Sequence, residues 1–172
     1  GHGADVGPAV SIKTALTCRA VGMEDAQLLW RWANDPETRG NSFNKAPIPY
    51  AEHLAWVRAR FESGTTRWWI FSDEDGPVGQ IRAELAGPVV ELHIVVAPAR
   101  RGRGCGKAML TQAVGMLQQE FGPWARMRAS VLEGNPRSLR LFKACGFQEV
   151  ATTQAAAERA IILEFPSKAR RV

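Results

Sequence analysis

The spacing of apolar positions changes several times along the chain, and each change marks an element. Residues 11–20, SIKTALTCRA, alternate loosely, as a strand with one buried face does. From Glu24 to Ala33 the spacing lengthens to that of a helix, with Leu28, Leu29 and Trp32 on its apolar face. Pro36, Gly40, Pro47 and Pro49 then interrupt any period and predict turns. A second amphipathic helix is predicted from Pro49 to Glu62, with Leu54, Val57 and Phe61 inward and Trp56 at the edge of that face. Three strands follow as a meander: residues 66–72, 78–85 and 89–96, the first two joined by the tight turn DEDGP. A helix over 107–121 carries a stripe of Leu110, Ala113, Val114, Leu117 and Phe121. The chain continues with a strand over 125–132, a short helix over 135–146 closed by Gly146, and two strands over 147–153 and 158–165.

The order β-α-α-β-β-β-α-β-α-β-β predicts one mixed sheet with helices packed on it, an α/β (α+β) domain spanning residues 11–165. Residues 1–10 read as a tag remnant and N-terminal tail, and 166–172 as a basic tail. A length of 172 residues suits a single domain with a real core. No apolar run approaches the roughly 20 residues of a membrane span, so no membrane partner is expected. Cys18, Cys105 and Cys145 are dispersed and form no metal-binding spacing. They suit reduced thiols in a cytoplasmic protein that binds no metal. The net charge of +5 suggests an anionic ligand. Nucleic acid is not expected, because the basic residues concentrate on one loop without interleaved aromatics.

That loop is the most informative stretch. In VVAPARRGRGCGKAML, residues 95–110, an apolar strand meets Pro98, and Gly102, Gly104 and Gly106 then alternate with Arg101, Arg103 and Cys105 ahead of Lys107 and a helix. Glycine lets backbone amides approach a phosphate, and the first turn of a helix has amides to offer. A plain strand-to-helix connection would not need three alternate glycines. A Walker loop is excluded, since Ala108 stands where a metal-holding Ser or Thr is needed. A dinucleotide fingerprint would lie at the first strand and carry an acidic residue about 20 positions on.

Arg101-Gly102-Arg103-Gly104-Cys105-Gly106 resembles the Arg/Gln-x-x-Gly-x-Gly/Ala signature of the GNAT superfamily of acyl-CoA-dependent N-acetyltransferases. The segment EGNPRSLRLFKACGF, residues 133–147, is similar to that family's second block, at matching distance. The resemblance covers about residues 11–165. It implies a mostly antiparallel sheet of seven strands with helices on both faces, splayed between the fourth and fifth strands. It also implies acetyl-CoA as cosubstrate. The pyrophosphate would lie on the amides from Arg101 or Gly102 through Arg103, Gly104, Cys105 and Gly106 to Lys107. The pantetheine arm would lie along the backbone of Ile94, Val95 and Val96, near Asn135. Phe142 stands where many members have a Tyr beside the leaving sulfur, so no general acid is assigned.

The reaction needs a neutral amine and a base that takes its proton. Glu91 and His93 lie two apart on one strand and share a face, which makes them the candidate catalytic pair, with a solvated sheet face as the alternative. The free amide near Val96 is the expected oxyanion donor. The acceptor is expected to be a small-molecule amine, and the protein a monomer or homodimer. Trp32-Ala-Asn-Asp-Pro, Arg39-x-Asn-Ser-Phe and His53-x-x-Trp56 resemble the subgroup acting on nucleotide-linked amino sugars in nonulosonic acid pathways, although Ala33 stands where that subgroup often has Arg. A protein N-terminal acetyltransferase of ribosomal-protein type, an aminoglycoside-type enzyme and a non-catalytic acetyl-CoA sensor are the alternatives.

Overall fold

The computed structural model describes residues 16–155 and 157–165. The expected tag remnant and tail over 1–10, residues 11–15 of the first strand, and the basic tail over 166–172 lie outside the described residues. Seven strands form one sheet: β1 Thr17–Ala20, β2 Thr66–Asp73, β3 Gly76–Ala86, β4 Val89–Val96, β5 Arg126–Leu132, β6 Gln148–Ala155 and β7 Glu158–Phe165. Their order across the sheet is β1-β2-β3-β4-β5-β7-β6. Every neighbouring pair is antiparallel except β4 and β5. The helices are α1 Ala26–Ala33, α2 Pro36–Gly40, α3 Tyr50–Glu62, α4 Cys105–Phe121 and α5 Pro136–Ala144.

The sheet is covered on both faces, so its central strands are apolar on both sides. On one face Met109, Leu110, Ala113 and Leu117 of α4 pack over Ile81, Leu92, Met127 and Leu163, with Phe142 of α5 alongside. On the other, Leu29 and Trp32 of α1 and Val57 of α3 pack over Trp68, Ile70 and Val95. The alternation along β4 therefore divides the strand as expected: Leu92, Ile94 and Val96 face α4, and Val95 faces α1 and α3.

Three local expectations are corrected. The turn-rich segment after α1 contains a helix, α2, which Pro36 starts at a position where its missing N–H is harmless and which Asp35 caps by accepting from the Thr38 amide at 3.2 Å. Phe61 is exposed rather than inward, because His53, four residues before Val57, completes the buried stripe of α3. Phe121 is exposed in the last turn of α4, where the Arg67 guanidinium lies over its ring at 5.7 Å.

Backbone proximity is closest where β3 meets the end of β4. A Cβ on Gly79 would lie 2.4 Å from the Val95 carbonyl oxygen and 2.7 Å from Cε of Met109. The strand cannot retreat without opening the α4 face. Gly79→Ala is expected to destabilise the fold by about 1–3 kcal/mol, the usual range for overpacking. Urea denaturation checks this, and a midpoint equal to wild type would contradict it.

Candidate active site

The pairing of β4 with β5 ends early. It covers Val89 with Arg126, Val90 with Met127 and Glu91 with Arg128, and goes no further. Beyond it the two strands part. The Ala97 amide donates to the Val78 carbonyl at 2.8 Å, which fixes the phase of the β3–β4 ladder. In an antiparallel ladder alternate residues turn their backbone groups to opposite neighbours. Val95 and His93 therefore bond to β3, while Ile94 and Val96 turn their N–H and C=O groups into the gap facing β5. An apolar, half-buried slot with free backbone donors and acceptors results.

The gap opens into a cavity of about 550 Å³. One end is lined by Val96, Arg101, Ser130, Asn135, Leu141 and Phe142, from the ends of β4 and β5 and from α5. The other is lined by His53 and Trp56 of α3, Gln80 and Arg82 of β3, and His93 of β4. The segment 37–48 borders it as well. That segment is held firmly: the Ile48 carbonyl accepts from Trp30 Nε1 at 2.7 Å and from Asn34 Nδ2 at 2.9 Å. The Arg39 guanidinium donates to the Ala33 and Asn44 carbonyls at 2.6 and 2.7 Å.

The glycine-rich loop takes the conformation its sequence demands. Gly102 and Gly104 have φ of 76° and 79°, the left-handed region that favours glycine. Gly104 is the N-cap of α4 and supplies no side-chain cap, so the amides of Cys105, Gly106 and Lys107 remain open ahead of the helix. Ala108 is the first residue of α4 bonded back to the loop, at 3.2 Å to the Gly104 carbonyl. Gly106 packs closely; a Cβ there would meet Leu141 at 3.1 Å and Val96 at 3.3 Å. Asn135 caps α5 by accepting from the Ser138 amide at 3.2 Å, which leaves its side-chain NH₂ for the cavity it lines.

The Arg101 side chain turns away from the loop. Its guanidinium turns to α2, donating to Glu37 and Asp35 at 2.7 Å each and to the Thr38 hydroxyl at 3.0 Å. Glu37 also meets Arg137 of α5 at 3.3 Å. Burial opposes the charge of Asp35, but Arg101 and Thr38 outweigh it and hold its carboxyl below the usual range. Arg103 and Lys107 are exposed and remain the loop's outward charges.

Of the expected catalytic pair, His93 lines the cavity and Glu91 does not. Glu91 lies opposite Glu84 of β3 and Arg128 of β5, where the sheet is still closed. His93 is open to the cleft, yet the cleft walls remove most of the bulk water around it. That burial, reinforced by the Arg82 charge and opposed by Glu84, lowers its pKa to about 4. His53 is 4% exposed, its pKa is lowered by burial, and its Nε2 has no partner among the described residues. His53 and Trp56 entered the reading of the sequence only within a resembling segment, and Gln80 and Arg82 escaped it as site residues. Their signal was a polar pair, Gln80 and Arg82, in phase on a strand that helices cover on both faces.

The acetyltransferase (GNAT) domain profile matches residues 15–148. The chain belongs to the GNAT acetyltransferase family. No curated protein sequence matches it. Among solved GNAT-like structures, the spermidine N-acetyltransferase from Vibrio cholerae, in complex with CoA and spermine, superposes with a TM-score of 0.77 at 16% identity over 88% of this chain and 95% of that one. A phosphinothricin acetyltransferase from Sinorhizobium meliloti, in complex with AcCoA, gives 0.73 at 22% identity over 88% of each chain. AAC(6')-Ib, in complex with ribostamycin and coenzyme A, gives 0.76 at 15% identity over 87% of this chain and 92% of that one. At these identities the likeness establishes the fold, including the parallel β4–β5 pair of a GNAT acetyltransferase.

The depressed pKa of His93 has a directional consequence. Between about 4 and the unfolded value near 6.5, the unfolded chain binds a proton at this site that the folded chain refuses. Stability contributed by neutral His93 is full above that window and is lost as pH falls through it. Histidine NMR titration should show the His93 ring neutral at pH 6, and Arg82→Gln should raise its midpoint. An unshifted midpoint in that variant would disprove the electrostatic link.

Proposed function

We propose that this GNAT protein transfers acetyl from acetyl-CoA to a primary amine by direct attack in the β4–β5 gap, with a nucleotide-linked amino sugar as acceptor. The observation that carries the reading is a continuous cavity that joins the unpaired backbone of Ile94 and Val96 to the pocket bounded by α2, α3 and β3. The chain's groups fit a CoA. The amides of Cys105, Gly106 and Lys107 and the left-handed glycines suit a pyrophosphate, with Arg103 and Lys107 adding charge around it. Ile94 and Val96 suit an extended pantetheine arm, and Asn135 stands beside the gap with a free amide donor. When bound, acetyl-CoA supplies a thioester whose carbonyl an amine attacks and whose thiol leaves without a strong acid, thiols having a pKa near 8.5. Phe142 is buried against Phe147 at a ring distance of 5.0 Å and has no proton to give.

The Val96 amide, free of the ladder, is placed to donate to the oxygen that gains charge. Of the two candidate bases, His93 is the one in reach of an amine in the cavity. Its neutral imidazole accepts a proton, whereas Glu91 lies outside the cavity lining and would act only through water. The amino-sugar acceptor is supported by the arrangement of the resembling segments. Arg39, Asn41, Ser42 and Phe43 meet His53 and Trp56 around one pocket, and the exposed Trp56 and Phe43 are among its lining residues.

Release of CoA thiol with a panel of amines tests the reading. UDP-linked amino sugars are expected to outperform spermidine, kanamycin and N-terminal peptides, and preference for any of the latter would refute the acceptor. His93→Gln is expected to lose about 10²–10⁴ in turnover, the range for one acid–base group, with CoA affinity unchanged. Gly104→Val forces a branched residue into the left-handed region, at about 1–2 kcal/mol of strain, and crowds the phosphate. Calorimetry should show its CoA affinity lost in a folded protein; wild-type affinity would remove the loop from the site.

A further inference from the structure

We infer that the acceptor carries an anionic group, a carboxylate or phosphate, and that Arg82 holds it at the α3 end of the cavity. This deepens the transfer reading above and rests on it. Arg82 lines the cavity, with its guanidinium laid against the Trp56 ring at 4.8 Å. A guanidinium has five N–H donors in a planar fork. Among the described residues Arg82 bonds to one acceptor, Glu84 Oε1, at 2.7 Å through Nη1. Glu84 is shared: the Thr66 hydroxyl donates to its Oε2 at 2.8 Å, and Arg60 lies 3.7 Å from its Oε1. One carboxylate thus sits behind two guanidiniums. Glu91, whose charge Arg82 also feels, lies outside the cavity lining. The rest of the Arg82 fork is stacked over Trp56 in the wall of the cavity, with no other acceptor among the described residues.

The neighbouring groups have the same bias. Gln80 Oε1 already accepts from Trp68 Nε1 at 2.7 Å, so its free polar group is the NH₂ donor. His53 and His93 are neutral near pH 7 and contribute no charge. Glu37 and Glu52 are the carboxylates lining the cavity, and Glu37 is engaged by Arg101 and Arg137. A pocket rich in donors and poor in carboxylates suits an acceptor-rich ligand. It does not suit polycations such as spermine or ribostamycin, the ligands in two of the similar structures. An anion at Arg82 also offsets the charge that depresses His93. Glu84 already pulls in that direction, although burial is the larger cause of the shift.

The test uses matched amines with the intact protein and saturating acetyl-CoA: amino acids against their amides, amino-sugar phosphates against the parent sugars, and a UDP-linked amino sugar against the free sugar. Spermidine and kanamycin serve as cationic controls. The anionic member of each pair that turns over is expected to be favoured about 10- to 100-fold in kcat/KM, as for a hydrogen-bonded charged group. Arg82→Gln should erase the preference through KM, Arg82→Lys should keep part of it, and both should bind CoA as wild type does. If Arg82→Gln fails to fold, the wild-type preference and its partial retention in Arg82→Lys decide the matter. Equal turnover within pairs, or turnover of the cationic controls alone, overturns this inference and leaves acetyl transfer standing. Tight CoA binding with no turnover of any amine removes both.

Discussion

The early end of the β4–β5 ladder is the constraint on which the rest depends. Parallel neighbours normally exchange bonds along their whole length, and an unpaired buried backbone group is costly. Here the strands part after Glu91 and Arg128, leaving Ile94 and Val96 with polar groups directed into a gap. The structure tolerates this because the gap is an open cavity and because both strands are anchored on their other sides. β4 is paired with β3 along its full length, and β5 is paired with β7 from Met127 to Leu132. Gly79 permits the close approach of β3 that keeps the end of β4 in place while its other edge is free.

A second set of interactions keeps the gap's two rims at a fixed distance. Arg101 follows β4, Arg137 lies on α5 after β5, and both meet Glu37 of α2. Asp35 strengthens the first of these contacts and caps α2 at the same time. The short helix therefore bridges the mouth of the cavity, and movement of the glycine-rich loop is transmitted to the segment that borders the acceptor pocket. Arg101 and Asp35 are both mostly buried, which lifts their pairing above an ordinary surface ion pair, whereas the more exposed Arg137 contact is screened.

The elements and their order were legible in the sequence because their periods are clean: β2, β3, β4, β5, α3 and α5 agree with expectation to within a residue or two. Gly102 and Gly104 announced the loop because few residues accept their left-handed backbone, and Gly106 because a side chain there would crowd Leu141 and Val96. The helix α2 was hidden because proline and glycine mark its ends as they mark turns. The role of Arg101 was hidden for a different reason. Its partners Asp35 and Glu37 are more than 60 residues away in sequence, and no local pattern records such a pairing. Arg82 and His93 are likewise neighbours only through the β3–β4 register. Glu91 and His93 share a strand face, as alternation requires, but the point at which the ladder opens separates them: one side chain lies in the cavity and the other beside closed sheet.

The basic character of the chain takes on a different meaning once these pairings are drawn. Arg19, Arg60, Arg67, Arg100, Arg101, Arg126 and Arg128 each face a carboxylate in the folded protein. What remains at the cofactor end is a ring of backbone amides with Arg103 and Lys107 outside it. Arg82, in the cavity wall, is bonded to Glu84 through Nη1 at 2.7 Å and keeps its other donors unpaired among the described residues. An amide ring binds phosphate through directed hydrogen bonds, whereas a guanidinium in a low-dielectric pocket reads charge. On the proposed reading the two ends of the cavity use different physics for two different anions, and the neutral imidazole of His93 lines the Arg82 end, where an incoming amine would give up its proton.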